Sequence, residues 1–160
     1  MPKAERTAQV EWKGNLREGA GTIVSTGSGA FGNLPVTWAA RTEASNGLTS
    51  PEELLAAAHA SCFAMAFSST LAKAGYTATE LDVKAVCTFE PPKITTMHID
   101  VRGVVPGLDQ AEFARIADQA EKTGCPVSAA LRNNVQISVT AKLDTSAGSY
   151  QTDTPQPTTA

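Results

Sequence analysis

Short runs of alternating apolar and polar residues near the start of the chain predict three β-strands. The runs at residues 7–12 and 19–25 flank a turn-rich segment at 13–15, an arrangement typical of a hairpin. A third strand is predicted at residues 36–42, after the glycine-rich loop at 27–32. The first quarter of the chain is therefore expected to be β-structure.

A long helix is predicted to follow. Ser50 and Pro51 supply a cap residue and a proline at the first helical position, and Glu53 stands three residues after the cap. Good helix formers continue to Ala74 and Gly75 is a natural stop, so the helix has about 24 residues and is roughly 36 Å long. It is apolar or small on nearly all sides and must be buried on most faces. One small domain can barely cover such a helix, so we expect a second copy of the chain to cover the rest.

Further alternation and a second helix complete the pattern. Strands are predicted at residues 81–89, 97–101 and 135–143. Before the last of them, a helix is predicted from Asp109 to about Lys122, followed by a short helical turn from Cys125 to Leu131. The order strands, long helix, strands, helix, strand is typical of an α+β fold with a mostly antiparallel sheet.

Size and composition suit one domain. The chain has 160 residues, of which 42% are hydrophobic and 18% are charged, and these values fit a single core. We assign residues 1–143 to that domain and residues 144–160, which have almost nothing to bury, to a flexible polar tail. The net charge of −3 gives no field that would attract nucleic acid or an acidic membrane surface, so neither partner is expected.

Two further features favour a cytoplasmic location. The apolar stretch at residues 54–67 is interrupted by His59, Ser61 and Cys62 and is shorter than the about 20 residues that a bilayer span needs. The first residues lack the apolar segment of a secretory signal. We therefore expect a cytoplasmic chain whose thiols are reduced by default.

The three cysteines are the candidate reactive residues. Cys62 lies midway along the long helix and is, by residue type alone, either a small core residue or a nucleophile. Cys125 stands at a helix start, where free amides and the helix dipole favour a thiolate, although a cap or turn role fits equally. Cys87 lies on the apolar face of a strand and is expected in the core. His59 could form a metal site with Cys62 and Cys125, but these are three ligands and the sequence offers no fourth. No metal and no cofactor is therefore expected.

Two motifs in the chain resemble those of a known family. Residues 50–66, with Ala-His-Ala-Ser-Cys at their centre, are similar to the first cysteine motif of the OsmC (osmotically inducible protein C) family, and residues 120–128, ending in Gly-Cys-Pro-Val-Ser, are similar to the second. Residues 12–16 and 105–107 also fit, and the resemblance covers about residues 5–143. The chain resembles the OsmC branch more than its sister branch, the organic hydroperoxide resistance proteins.

The resemblance implies a thiol peroxidase whose antiparallel sheets wrap around long central helices in an intertwined homodimer. By motif, Cys62 attacks an organic hydroperoxide and becomes a sulfenic acid, and Cys125 then forms a disulfide with it. A dithiol reductant, a dihydrolipoyl group in relatives, restores both thiols. The family also uses a glutamate and an arginine beside the reactive sulfur. Glu52 fits the glutamate, and Arg41 is preferred to Arg17 for the arginine.

Physical chemistry adds one constraint to this assignment. An apolar environment raises the pKa of a thiol above about 8.5, so a fixed cation is needed to keep Cys62 ionised. An arginine oriented by a carboxylate meets that need. Glu52 precedes Cys62 by about 15 Å of helical rise, so we expect each site to be built at the subunit interface. The alternative functions are a non-catalytic binding protein for a small hydrophobic ligand, with structural cysteines, and a redox sensor.

Overall fold

The first sheet of the computed structural model, which describes residues 3–144, is an antiparallel meander. Its strands pair in the order β1-β2-β3, with β1 at Ala8–Lys13, β2 at Ala20–Thr26 and β3 at Gly32–Val36. The hairpin predicted from the first two alternating runs is confirmed. The predicted polar tail lies outside the described residues, apart from its first residue, Asp144.

The prediction of a strand at residues 36–42 is wrong. The third strand ends at Val36, and a short helix, α1 (Trp38–Thr42), follows it. Thr37 has an extended backbone, and its hydroxyl oxygen accepts a hydrogen bond of 3.1 Å from the Ala40 N–H. This cap offers the backbone an alternative to the sheet and starts a helix instead. Arg41 therefore lies in a helical turn rather than at the end of a strand.

The long helix is confirmed as α2 (Pro51–Lys73). The Ser50 hydroxyl accepts a hydrogen bond of 3.1 Å from the Glu53 N–H, as the cap pattern predicts. Gly75 follows the helix with φ +89°, a conformation that glycine adopts without strain. One face of α2 forms the centre of the core through three fully buried side chains: Phe63, Phe67 and Leu71.

The second sheet covers that face of α2. It has the order β4-β5-β6, with β4 at Glu80–Glu90, β5 at Lys93–Val104 and β6 at Gln136–Leu143. The first two strands are antiparallel and the last two are parallel. A parallel pair needs a crossover connection, and three helical segments supply it. These segments are α3 (Gln110–Gln119), a π-helical turn (Ala120–Gly124) and α4 (Pro126–Leu131). The fold is thus α+β with mostly antiparallel pairing, as predicted.

The opposite face of α2 is uncovered in a single copy of the chain. Its exposed side chains recur every three or four residues along the helix: Ala57, Ser61, Met65, Ser68 and Ala72. Met65 alone is 68% exposed. Small and apolar side chains in such a row form a smooth surface on which another helix can pack closely.

In length and composition, α2 meets the criteria for a helix that crosses a membrane, and it is the one helix among residues 3–144 that does so. The apolar stretch at residues 54–67, which was predicted to be too short to span a bilayer, is only part of this longer helix. Core helices satisfy the same criteria, and α2 packs one face into the core of this fold.

Candidate active site

Two separate elements bring the Cys62 and Cys125 sulfurs together. Cys62 lies midway along α2, and Cys125 is the residue immediately before α4, with Pro126 at the first helical position. The two Sγ atoms are 3.4 Å apart, although 63 residues separate them in sequence. Both are free thiols, and a shift of about 1.4 Å would bring them to the S–S bond length of about 2.05 Å.

The surroundings of Cys62 do not favour its ionised form in a single copy. Burial raises the pKa of the Cys62 thiol, and the neighbouring Cys125 raises that pKa further. A hydrogen bond from the Val127 backbone N–H to the sulfur lowers the pKa, but its effect is smaller than that of burial. No lysine or arginine of residues 3–144 lowers this pKa. The cation that a reactive thiolate needs is therefore missing from the immediate environment of the sulfur.

Arg41 and Glu52 form a second cluster. Nε and Nη2 of Arg41 donate hydrogen bonds of 2.9 and 2.7 Å to Oε1 of Glu52. The carboxylate is almost fully buried, whereas the arginine side chain is 29% exposed. The guanidinium carbon also lies 4.1 Å from the centre of the Phe89 ring and 5.8 Å from that of Trp38. These contacts fix the orientation of the positive charge and leave one side of the guanidinium accessible.

A cavity of about 370 Å³ opens beside this ion pair, and Cys87 lines it together with Phe89. The second carboxylate oxygen of Glu52, Oε2, is buried and has no hydrogen-bond partner among residues 3–144. Burial and the nearby Glu52 charge both raise the pKa of the Cys87 thiol. The expectation that Cys87 lies in the core is wrong, because the strand carries this residue past the core to the first turn of α2.

The thiol pair and the ion pair are distinct within one copy of the chain. Ten residues of α2 separate Glu52 from Cys62, which corresponds to about 15 Å along the helix axis. Within the described part of the chain, Arg41 donates side-chain hydrogen bonds to Glu52 and to neither sulfur. Arg17, the other candidate, is exposed in the loop between β1 and β2, where its backbone N–H bonds to Asn15.

Comparison with known proteins decides the family of the chain. The family model described as OsmC-like protein matches residues 44–140, more than half of the chain. Peroxiredoxin OsmC of Escherichia coli (strain K12) is 38% identical over 136 residues, which cover 82% of this chain and 93% of that protein. The chain belongs to the OsmC-like family.

Other relatives agree with this OsmC-like membership. The organic hydroperoxide resistance protein of Xanthomonas axonopodis pv. citri (strain 306) is 32% identical over 97 residues, covering 58% of this chain and 66% of that protein. A solved organic hydroperoxide resistance protein OsmC from Legionella pneumophila superimposes with a TM-score of 0.62 at 24% identity, covering 88% of this chain and 99% of its own. A solved organic hydroperoxide resistance protein from Elizabethkingia anophelis superimposes with a TM-score of 0.64 at 21% identity, covering 90% of this chain and 100% of its own. These two structures show the shared fold.

In this OsmC-like chain, His59 and Ser128 form a buried contact that the sequence did not indicate. His59 Nε2 lies 2.7 Å from Ser128 Oγ, and both side chains are fully buried. Burial lowers the pKa of His59, and Glu121 opposes this effect more weakly, so the imidazole is neutral. The only signal in the sequence was spacing: His59 stands three residues before Cys62, and Ser128 three residues after Cys125. No group of three potential metal ligands occurs among residues 3–144.

The segment that leads to Cys125 is held by Arg132. The Arg132 guanidinium donates hydrogen bonds of 3.1 and 3.0 Å to the carbonyl oxygens of Lys122 and Glu121, and one of 2.8 Å to the Glu121 carboxylate. The two carbonyls belong to the π-helical turn (Ala120–Gly124), which interrupts the helix predicted to reach Lys122. Because π-helical turns are rare and are enriched at functional positions, the clamped turn fits a role in placing the second sulfur.

Proposed function

We propose that this OsmC-like chain is a peroxiredoxin-like peroxidase that reduces organic hydroperoxides to alcohols. In this proposal Cys62 is the attacking residue, Cys125 is the resolving residue, and a dithiol, preferably a dihydrolipoyl group, is the reductant. The observation that carries the proposal is the 3.4 Å approach of two free thiols from distant parts of the chain. The names of the curated relatives, peroxiredoxin and organic hydroperoxide resistance protein, support the class of reaction.

The reaction balances in three steps. Cys62 releases its proton to form the thiolate, which attacks one oxygen of the hydroperoxide. The O–O bond breaks, the departing alkoxide takes up one proton from the solvent, and the products are an alcohol and a sulfenic acid on Cys62. The Cys125 sulfur then attacks the sulfenic sulfur, forms the disulfide and releases water. Finally a dithiol reduces this disulfide by thiol–disulfide exchange and is itself oxidised to a cyclic disulfide.

The first step requires a cation, and a second copy of the chain is the proposed source. The exposed face of α2 contains Ala57 and Ala58, which let another helix approach closely. Residue 57 is midway between Glu52 and Cys62. In an antiparallel pair of α2 helices with a two-fold axis beside Ala57, the Glu52 of one copy would lie at the same height along the helices as the partner's Cys62, and the long Arg41 side chain would reach across to that sulfur. This arrangement is a homodimer with two sites, each built from both copies, and it explains why the two clusters are separate in one chain.

The cavity beside the ion pair has an apolar part that suits the organic group of a hydroperoxide. Phe89, Val86 and Ala85 line that part, and the rest is polar, lined by Arg41, Ser50, Glu52 and Glu53. An alkyl or aryl group would contact the apolar side chains, while the guanidinium would donate hydrogen bonds to the peroxide oxygens. Hydrogen peroxide has no alkyl or aryl group to contact the apolar side chains, so we propose that organic hydroperoxides are the preferred substrates.

The decisive experiment measures hydroperoxide consumption. The purified chain receives cumene or tert-butyl hydroperoxide with dihydrolipoamide, and loss of peroxide is followed for the wild type, Cys62→Ser and Cys125→Ser. We expect steady turnover by the wild type, background consumption by Cys62→Ser, and about one equivalent consumed by Cys125→Ser before the reaction stops. Mass spectrometry of the oxidised wild type should find Cys62 linked to Cys125, with Cys87 as an internal control that stays reduced.

The alternative, a non-catalytic protein that binds a small hydrophobic ligand in the same cavity, predicts different results. In that case Cys62→Ser and the wild type would consume peroxide at the same background rate. That result would refute the peroxidase proposal.

A further inference from the structure

The His59–Ser128 contact connects the two helical segments that carry the sulfurs. His59 lies one helical turn before Cys62 on the same side of α2. Ser128 lies in α4, three residues after Cys125. The 2.7 Å contact between their side chains therefore joins α2 to α4 about one turn away from each thiol. Among residues 3–144, it is the one side-chain hydrogen bond that joins α2 to α4. The Cys62–Cys125 contact is separate, because Cys125 lies immediately before α4.

The tautomer of the imidazole follows from its surroundings. Nδ1 of His59 is buried and has no hydrogen-bond partner within the described chain. A neutral imidazole has one N–H donor and one bare acceptor nitrogen. Because a buried N–H donor without a partner costs more than a buried acceptor without one, we assign the proton to Nε2, so that Nε2–H donates to Ser128 Oγ.

Charged groups near the contact are already paired with each other. Glu121, the group whose charge acts on His59, accepts a hydrogen bond of 2.8 Å from Arg132. The Glu121 carboxylate is therefore paired with Arg132, the residue that also holds the π-helical turn. The contact between His59 and Ser128 is thus a neutral, fully buried hydrogen bond, which water does not weaken by competition.

We propose that His59 and Ser128 are positioning residues that hold the Cys62 and Cys125 sulfurs within reach of each other. The inference rests on the proposed function and deepens it. Helix α4 has only six residues, and its position depends on the apolar packing of Val127, on the Arg132 clamp on the turn before it and on the His59–Ser128 bond, which is its one side-chain hydrogen bond to α2 among residues 3–144. A fixed bond one turn from both sulfurs restrains that position. The remaining approach of about 1.4 Å to the S–S bond length can come from rotation of the cysteine side chains while the imidazole–hydroxyl bond persists.

The consequence for the reaction is a high effective concentration of one thiol at the other. Oriented groups react as if at very high concentration, and a misplacement of about 1 Å can reduce a rate about 100-fold. Loss of the His59–Ser128 bond should therefore slow the condensation of Cys125 with the Cys62 sulfenic acid. Attack of Cys62 on the peroxide does not use Cys125 as a reactant, so its rate should change much less, through the contacts of Val127 and Cys125 with the Cys62 sulfur alone.

The first test measures the equilibrium between dithiol and disulfide in glutathione buffers, with no peroxide present. Ser128→Ala should lower the effective concentration of the thiol pair at least tenfold, which raises the reduction potential of the disulfide by about 30 mV. His59→Gln, whose amide nitrogen can approach the position of Nε2, should recover part of the loss. Ser138→Ala is the matched control, because it removes a similar serine–histidine contact of 2.8 Å, to His98, on the exposed side of the second sheet. It should change the effective concentration less than twofold.

The second test follows a single turnover with one equivalent of cumene hydroperoxide and dimedone as a sulfenic acid trap. Ser128→Ala should slow the condensation far more than it changes the rate of sulfenic acid formation, and should accumulate at least tenfold more dimedone adduct at Cys62. If its effective concentration and trapping both stay within twofold of the wild type, the pair is merely structural and the proposal fails. This holds even if the variant is less stable. His59→Leu would add a larger perturbation, but Ser128→Ala removes one oxygen atom and suffices if His59→Leu does not fold.

The two tests also separate this proposal from the proposed function. A wild type that forms the disulfide in glutathione but consumes no hydroperoxide would refute the peroxidase function, and Ser128→Ala would still test the positioning role. A wild type with normal turnover and an unaltered Ser128→Ala variant would refute the positioning role alone. A wild type that forms no Cys62–Cys125 disulfide would refute both.

Discussion

Two opposing influences act on the ionisation of Cys62. Burial and the adjacent Cys125 thiol raise its pKa, and the Val127 N–H compensates only in part. Within one copy, Arg41 is held by Glu52 and does not contact the sulfur. In the proposed dimer, the guanidinium of the partner would stabilise the thiolate and lower the pKa. The same arginine would also donate hydrogen bonds to the peroxide.

We predict that Arg41→Met shifts the pH dependence of the peroxide reaction to higher pH. The attacking species is the thiolate, so the rate of sulfenic acid formation rises as the pH passes through the pKa of Cys62. Removal of the cation raises that pKa, and the midpoint of the profile should move up by about one unit or more. Stopped-flow measurement of sulfenic acid formation between pH 5 and 10 checks this shift.

Arg17→Met is the matched control for this experiment. The two arginines were the alternatives for the same role, and Arg17 is exposed in the loop after β1. Its replacement should leave the midpoint unchanged. If Arg17→Met shifts the profile and Arg41→Met does not, the assignment of the arginine must be reversed.

Individual residues were predictable where their role follows from local sequence. The cap at Ser50 and the stop at Gly75 are examples, because capping depends on a few neighbouring residues. His59 was not predictable, since its partner Ser128 is 69 residues away and only the packed structure brings them together. The position of Cys87 was missed for a related reason. Alternation shows which face of a strand a residue occupies, but not what covers that face at each end of the strand.

At the scale of elements, α1 (Trp38–Thr42) is the segment that places Arg41. The sequence suggested a strand here because valine, tryptophan and threonine have high β-propensity. The Thr37 cap determined the helix instead, and with it the direction of the Arg41 side chain. The parallel pairing of β6 with β5 was equally hidden, because it depends on the crossover through α3 and α4 rather than on the pattern within either strand.

We predict that Thr37→Ala impairs the active site through this short helix. Loss of the cap should lower the free energy of unfolding by about 1 kcal/mol. It should also let Arg41 leave its position, so that the rate of sulfenic acid formation falls several-fold. Urea denaturation and the stopped-flow rate measure the two effects on the same sample.

Asp109→Ala provides a matched control for Thr37→Ala. It removes an equivalent cap, with a hydrogen bond of 2.9 Å from the Glu112 N–H, from helix α3, which is not part of the site. A similar loss of about 1 kcal/mol in stability is expected, but core contacts along α3 should keep its residues in place, so the reaction rate should change much less. Equal losses of rate in both variants would show that general destabilisation, and not the position of α1, limits the reaction.

For the whole molecule, the separation of the two clusters has a consequence for assembly. The thiol pair and the ion pair lie about 15 Å apart along α2, and the face of α2 between them is exposed. A monomer would therefore have a thiol pair without its cation and an ion pair without a sulfur. In the proposed two-fold arrangement, the thiol pair of each copy lies beside the ion pair of its partner. The same contact covers the apolar face of α2. Burial of Met65 and its neighbours would provide the hydrophobic contribution to association.

This arrangement predicts that two impaired variants restore activity when mixed in one dimer. Cys62→Ser has no attacking sulfur, and Arg41→Met has no cation, so near neutral pH the first homodimer should be inactive and the second should retain about a tenth of the wild-type activity or less. In a heterodimer, the Cys62 of the Arg41→Met copy would face the Arg41 of the Cys62→Ser copy, which gives one complete site and one doubly defective site. Co-refolding equal amounts makes half of the dimers mixed, so total activity should recover to about one quarter of the wild type. If each site were contained in one copy, co-refolding would restore nothing, because no copy in the mixture carries both residues.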